Sequence, residues 1–305
     1  MGSPGASAAR RARRSGRVRL WVVLLVLLGG SIWALQRLGR EVEAADFTRV
    51  DMSRTRLLPP QGAFCDPRWE GELAATLARF PAPDVHDTAA LARVASEVAK
   101  LPFVAETGEA RVVWPDGVRV PVRLREPVAC VKSGEGFVCV SEDGVLLPGP
   151  WPEPPSSNGR VLPVIGPNDG AFDRLLAGTR LHEPRHLDAL SVAISMRRHL
   201  PQVDAQTLGP ILIDATRARA TSVEEPGTLL ELEGPRLVLF GRAPWSGAPG
   251  ELPAELKWRS LSKAAGLLRG ERAEPPADWS VLDVRWDTPA LRWNETAKAK
   301  PAPAR

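Results

Sequence analysis

Cysteine is scarce in this chain, with three among 305 residues. That is too few for the disulfide framework of a small cross-linked domain, so the fold must rest on an apolar core. Histidine is little more abundant: His86, His182, His186 and His199 are the whole supply, and His86 and His199 fall in a loop and at a helix end. Neither a Gly-x-Ser-x-Gly elbow nor a P-loop occurs. The Gly-rich run Ser133-Gly-Glu-Gly136 is short and sits between two strand patterns. Aspartate and glutamate mostly occupy caps, turns and exposed faces, their ordinary positions. Tyrosine is absent, an absence with no functional reading. No catalytic constellation survives, and the chain is expected to be neither an enzyme nor dependent on a cofactor.

One motif argues otherwise. His182-Glu183-Pro184-Arg185-His186 matches the His-Glu-x-x-His zinc signature, whose chemistry needs both histidines on one face of a continuous helix. A proline inside that turn lacks an amide donor and clashes with the preceding carbonyl, at about 3 kcal/mol. The expected outcome is a helix that starts near Pro184, with His182 outside it and no bound zinc.

Charge is strongly uneven along the chain. Residues 1–45 carry eight arginines against two glutamates, a net of +6, whereas the whole chain is +4; the remainder therefore carries about −2. The basic pI of 9.3 reflects the N-terminal segment alone. A nucleic-acid reader would instead place a basic patch on its folded domain, and that class is set aside. Apolar and charged contents of 44% and 25% are globular values.

Arg10, Arg11, Arg13, Arg14, Arg17 and Arg19 run directly into the apolar stretch Leu20 to Leu35, with Trp21 and Trp33 near its ends. This is close to the lower length limit for crossing a hydrocarbon core of about 30 Å. Clustered arginine favours the cytoplasmic side and indole rings favour the interface. The alternative is a cleaved signal peptide, with Val42-Glu43-Ala44 as a loose cleavage site. Arg37, Arg40, Glu41 and Glu43 directly follow the apolar core and disfavour cleavage. Residues 1–19 are thus expected as a basic cytoplasmic tail and 20–38 as a single membrane span. Either way the rest of the chain is exported.

After the span, Phe47 to Leu58 contains a plausible strand around Val50 and Met52. Asp66-Pro67 opens a helix, Asp as N-cap and Pro at the first helical position, with Trp69, Leu73, Leu77 and Phe80 on one face. A second helix opens at Asp87-Thr88, carries Leu91, Val94, Val98 and Leu101, and ends at Pro102. Arg111 to Trp114 leads through Pro115-Asp116-Gly117 into Val118, Val120, Val122 and Leu124, which alternate with Arg119, Pro121, Arg123 and Arg125. That is a hairpin with one wet face. Farther on, Cys130 and Cys139 flank a turn at positions that oppose each other across two strands. They form either a disulfide, in an oxidising compartment, or two small buried thiols. Cys65 has no evident partner.

The order β-α-α-β-β, about 75 residues directly outside an anchor, resembles a POTRA module. The wording is more specific. Leu101-Pro102-Phe103-Val104, then Trp114-Pro115-Asp116-Gly117-Val118-Arg119-Val120, then Arg125-Glu126-Pro127-Val128-Ala129 resemble successive signatures of the bacterial cell-division family FtsQ, also called DivIB. The likeness continues through Phe137 to Val145, through Val161-Leu-Pro-Val-Ile-Gly166, and through a helix bearing Leu187, Leu190 and Ile194. It extends over the short strands Ile211–Asp214, Leu229–Leu232 and Leu237–Phe240, a helix from Leu256 to Leu268, and Asp283-Val284-Arg285. It departs where Leu124 takes the family's usual acidic position. The fold so implied is α+β: one transmembrane helix, a βααββ POTRA-like domain over 46–127, and a strand-rich mixed α/β domain over 128–293. Within the latter, 151–159 is a Pro/Ser/Gly-rich loop. Residues 294–305 read as a disordered tail.

What the resemblance implies is a noncatalytic scaffold of the division septum. It would sit in the inner membrane with its N-terminus cytoplasmic and its domains periplasmic, and bind FtsB- and FtsL-like single-span partners. Strand addition at an exposed sheet edge is the physical route. Val281, Leu282, Asp283, Val284 and Arg285 are the candidate edge strand and Trp286 its apolar anchor, with Trp293 a second candidate. The competing reading packs Val281, Leu282 and Val284 into the core. A rival function is an envelope-biogenesis or secretion component that holds client polypeptides with the same module. No second copy of that module is visible downstream, which counts against it.

Overall fold

The computed structural model describes all residues except 1–4, 45–48, 83, 85–86, 114–116, 135, 168–169, 174, 220–224, 247–250, 271–278 and 294–305. The tail expected at 294–305, the tip of the 111–124 hairpin and His86 lie outside the described residues.

The N-terminal helix α1 (Gly5–Ala44) is longer than its apolar stretch, because the flanking arginine, alanine and glutamate are good helix formers. Its segment Val23–Glu41 is long and apolar enough to cross a membrane, and none of it is buried against the rest of the protein.

The opening strand lies later than Val50 and Met52. Val50 is a buried core residue, Met52–Arg54 forms a 3-10 turn capped by Asp51, and β1 is Arg56–Leu58. The cap accounts for the difference: the Asp51 carboxylate accepts the Ser53 N–H at 3.0 Å and bends the chain before it can pair. Two helices follow as the pattern requires. Helix α2 (Arg68–Leu77) buries Trp69, Leu73 and Leu77, and Asp66 accepts the Arg68 N–H at 2.9 Å. Helix α3 (Thr88–Val98) buries Leu91, Val94 and Val98, and Asp87 caps Ala90 at 2.8 Å.

Strands β2 (Val104–Thr107), β3 (Arg111–Val113) and β4 (Gly117–Leu124) complete a four-stranded sheet. Strand β4 is central. It pairs β1 in parallel on one side and, antiparallel on the other, β2 and β3. Val118, Val120, Val122 and Leu124 face the helices and are buried, while Pro121 and Arg123 are exposed. The period-two pattern decides this directly.

A second sheet contains strands β5 (Pro127–Ser133), β6 (Gly136–Ser141), β9 (Val164–Gly166), β10 (Leu212–Asp214), β11 (Thr228–Leu232), β12 (Arg236–Gly241), β13 (Trp279–Asp283) and β14 (Ala290–Trp293). Their order is β14-β13-β12-β11-β10-β9-β5-β6. The 151–159 loop contributes one strand of a small separate pair, β7 (Ser156–Ser157) with β8 (Arg160–Val161). Helices α4 (Pro184–His199), α5 (Gln202–Leu208) and α6 (Ala254–Leu268) share the large core of this sheet. Trp258 of α6 is fully buried against Phe240, and its indole donates to Ser195 Oγ of α4 at 2.8 Å. Helix α4 buries ten side chains between His186 and Met196. A helix enclosed all round shows no single apolar stripe.

The two sheets meet in one apolar cluster. Trp69, Phe103 and Val98 pack in the same cluster as Cys130, Cys139, Leu147 and Val164. Trp69 stacks on Phe103 at 4.9 Å, and its indole donates to Pro148 O at 3.5 Å across the seam. The Arg125-Glu126-Pro127 signature spans that seam. Arg125 donates to Pro102 O before β2 and to Val104 O in it, and pairs with Asp143 beyond β6 at 3.1 Å. Glu126 pairs with Arg197 of α4. The Arg68 guanidinium lies 4.4 Å over the Trp151 ring.

Candidate partner-binding edge

Every strand of the large sheet except the two outermost uses both edges. At the β6 end, the chain covers its own edge. Phe137 and Trp151 exchange two backbone hydrogen bonds at 2.8 Å, and Leu147 N–H donates to Cys139 O at 2.8 Å. At the opposite end, β14 pairs β13 antiparallel, with Trp279 opposite Trp293, Val281 opposite Arg292, Leu282 opposite Leu291 and Asp283 opposite Ala290. Among the described residues nothing pairs the far side of β14. A row of backbone donors and acceptors is left there, able to take a further strand.

This corrects the expectation for Val281 to Trp286. Strand β13 is the penultimate strand, held by β12 in parallel and by β14, so its own backbone groups are occupied on both sides. Leu282 and Val284 are buried in the core, as the competing reading had it, and Val281 is half-buried. Arg285 is buried as well. It makes a bidentate pair with Asp283, 3.0 Å from Nε and 2.8 Å from Nη2, and donates to Glu225 O at 3.0 Å. The hydrogen bonds it donates to Asp283 hold the Arg285 pKa above its usual value, outweighing burial. Asp283 ends β13 and also accepts the Arg285 N–H at 3.1 Å, so the chain turns back and Asp-x-Arg closes on itself at the end of the strand. Trp286 is half-buried, with the Arg285 guanidinium 5.5 Å over its ring. Of the six, Val284, Arg285 and Trp286 lie beyond the end of β13 at Asp283. The backbone of Trp293 lies in β14, and its side chain is outside the described residues.

Beside this brace lies a second buried pair that the sequence did not disclose. Lys257 Nζ is 2.6 Å from Glu251 Oε2, with side-chain exposures of 3% and 14%. The same carboxylate accepts the Arg242 N–H at 2.9 Å, and Leu252 N–H donates to Arg285 O at 3.0 Å. Burial pushes the Lys257 pKa down, and Glu251 opposes the shift. Gly241 has φ +81, and a Cβ there would meet the Glu251 carboxylate at 2.4 Å, so only glycine fits. No local signal tied Glu251 and Lys257 to β13, because the pairing depends on the parallel β12–β13 register.

The histidine motif resolves into geometry that does not suit a metal. Pro184 is the first residue of α4, and His182 lies before the helix, exposed. His186 is 3% exposed, packed 4.5 Å from the Phe172 ring. The two imidazoles therefore occupy opposite environments. Among the described residues no group of three or more His, Cys, Asp or Glu could hold a metal ion. The cysteines are free thiols, with Cys130 and Cys139 directly opposed in the β5–β6 register. What the C-terminal edge offers is backbone hydrogen bonding backed by a rigid, ion-braced strand. No family model matches the chain, and no curated protein matches it.

Proposed function

We propose that this chain is a noncatalytic, single-span scaffold of the bacterial division septum, of the FtsQ type, which binds small bitopic partners by strand addition at β14. The observation that carries the reading is the asymmetry of the large sheet. Its β6 edge is closed by the chain itself, whereas the β14 edge carries no further strand among the described residues. Exposed edges are normally blunted because they recruit strands, so an edge left open at the end of an eight-stranded sheet suits capture of an extended peptide. Supporting it are the apolar helix α1 and the β1-α2-α3-β2-β3-β4 order of the first module, which resembles the β-α-α-β-β order of a POTRA domain with one strand more. The sequence signatures shared with the family add to these. On this reading 1–19 is cytoplasmic and the two sheets are periplasmic. FtsB- and FtsL-like proteins are the partners, and β14 replaces β13 as the contact strand.

The test is a photo-crosslinking amino acid at Arg292, which is exposed on β14, in dividing cells of the source organism. A crosslink to a small single-span coiled-coil protein is expected, together with a midcell band from a fluorescent protein fused ahead of Met1. An even envelope signal and normal division after depletion would overturn the division role and favour the client-holding alternative. Crosslinks from the β6 side but none from Arg292 would overturn the edge assignment.

A further inference from the structure

The outer face of the first sheet carries arginines where strand pairing alone would disfavour them. Helices α2 and α3 cover only the face that presents Val118, Val120, Val122 and Leu124. On the other face the register sets Arg56 of β1 and Arg111 of β3 both opposite Arg119 of β4. Three guanidinium-bearing residues thus lie in one row across three strands. Directly opposed Cα atoms are only about 5 Å apart, and like charges opposed in this way destabilise a sheet. The next row holds Leu58 opposite Pro121, and Leu58 is 44% exposed. The third holds Arg123, paired with Glu106 at 2.6 Å. Among the described residues Arg56 has no ion-pair partner, and Arg111 reaches Glu109 only at 4.0 Å. The pattern is a small open platform with an apolar centre and an arginine rim.

We propose that this face docks on the anionic phospholipid headgroups of the bilayer that holds α1. Position and chemistry both favour lipid. The chain between Ala44 and Arg56 spans at most about 40 Å when fully extended, which keeps the platform within reach of the membrane. Guanidinium groups bind phosphate bidentately. Exposed leucine and proline between arginines suit the boundary between headgroups and acyl chains. Each basic residue near an anionic surface shifts the docked equilibrium roughly fivefold, so the two exposed members of the row, Arg56 and Arg111, shift it by about twenty-five-fold. Docking would lay the first sheet along the membrane and fix the direction in which the second sheet projects. This inference rests on α1 crossing a bilayer and not on a role in division.

The experiment uses the full chain in nanodiscs carrying nitroxide-headgroup lipid, either neutral phosphatidylcholine or a mixture with phosphatidylglycerol. Cys65→Ser removes the exposed thiol, and a fluorophore is placed at Pro121→Cys on the platform or, as control, at Arg93→Cys on α3. Retention of the chain in both bilayers verifies the anchor independently, and its loss from both would overturn the anchor and this inference together. The Pro121 label is expected to be quenched several-fold more with phosphatidylglycerol than without, and the Arg93 label equally in both. Arg56→Glu combined with Arg111→Glu should abolish the difference while near-ultraviolet circular dichroism stays native. Added salt should weaken it in the unreversed protein, which keeps the test decisive if the double variant fails to fold. Equal quenching at Pro121 in the two bilayers would overturn the proposal and leave the face to an acidic protein.

Discussion

Replacing Arg285 by alanine should loosen the fold of the large sheet before it touches partner binding. Arg285 and Asp283 are 9% and 16% exposed at their side chains and are joined by a bidentate pair. Arg285 also satisfies the Glu225 carbonyl. Removing one member of a buried pair leaves the other charge uncompensated, at about 3–5 kcal/mol. Asp283 retains some access to water, so the lower end of that range, about 3 kcal/mol, is expected. At roughly 2–4 °C per kcal/mol for a domain of this size, Tm should fall by about 6–12 °C. Thermal melts of the full chain in detergent, followed by near-ultraviolet circular dichroism, measure the shift. A cycle with Asp283→Asn should show coupling of at least about 1 kcal/mol, because the two side chains share one interaction. Suppose instead that Arg285→Ala melts like the parent while crosslinking from Arg292 disappears. Arg285 would then be a contact residue, and the brace would be wrong.

Trp69→Ala should cost about 4 kcal/mol, because it empties a fully buried indole stacked on Phe103 and removes a hydrogen bond across the seam; chemical denaturation reads the loss, and a cost under about 1 kcal/mol would contradict that packing. A thiol reagent should label Cys65 in the native protein but reach Cys130 and Cys139 only after unfolding. Both inner thiols are fully buried, and burial pushes the Cys130 pKa up to about 12. Native labelling of either inner thiol, by mass spectrometry, would refute this. For Lys257 the folded pKa lies below 10.5, so the unfolded chain binds the extra proton between the two values. Its contribution to stability therefore rises as pH climbs toward 10.5. Parent minus Lys257→Met stability should increase across that window, and a flat difference would argue against a buried ammonium.

Local pattern was enough wherever one side of an element faces water. The helices at Arg68–Leu77 and Thr88–Val98 show apolar residues at helical spacing, so their starts were legible to within a residue or two, although they end three residues before the Phe80 and Leu101 assigned to their faces. Strand β4 alternates strictly and could be assigned face by face. The start of α4 at Pro184 followed from one missing amide. Short apolar strands were found at β10, β11 and β12, though their partners were not. Strand β1 was misplaced because Asp51 turns the chain, a hydrogen bond that outweighs the apolar spacing of Val50 and Met52. Helix α5 and strands β2 and β14 were missed. Each is short, and β14 mixes alanine, leucine, arginine and tryptophan without a clear period.

Composition and spacing by themselves therefore determined the apolar α1 segment, the two small helices, the hairpin and the misfit of the histidine motif to zinc, because each depends on residues a few positions apart. Tertiary structure alone decided which strand lies at the edge. Edge status belongs to the order of strands in space, and β13 lost it to β14 through a pairing that no local pattern encodes. The same holds for Asp283 and Arg285. Two-residue spacing put them within reach of each other, but only the loop carrying Glu225 and the segment carrying Leu252 buried Arg285 and turned a surface signature into an internal brace. The arginine row obeys this logic as well. Arg111 and Arg119 lie on the two arms of one hairpin, but Arg56 is far from both in sequence and joins them only through the parallel β1–β4 register.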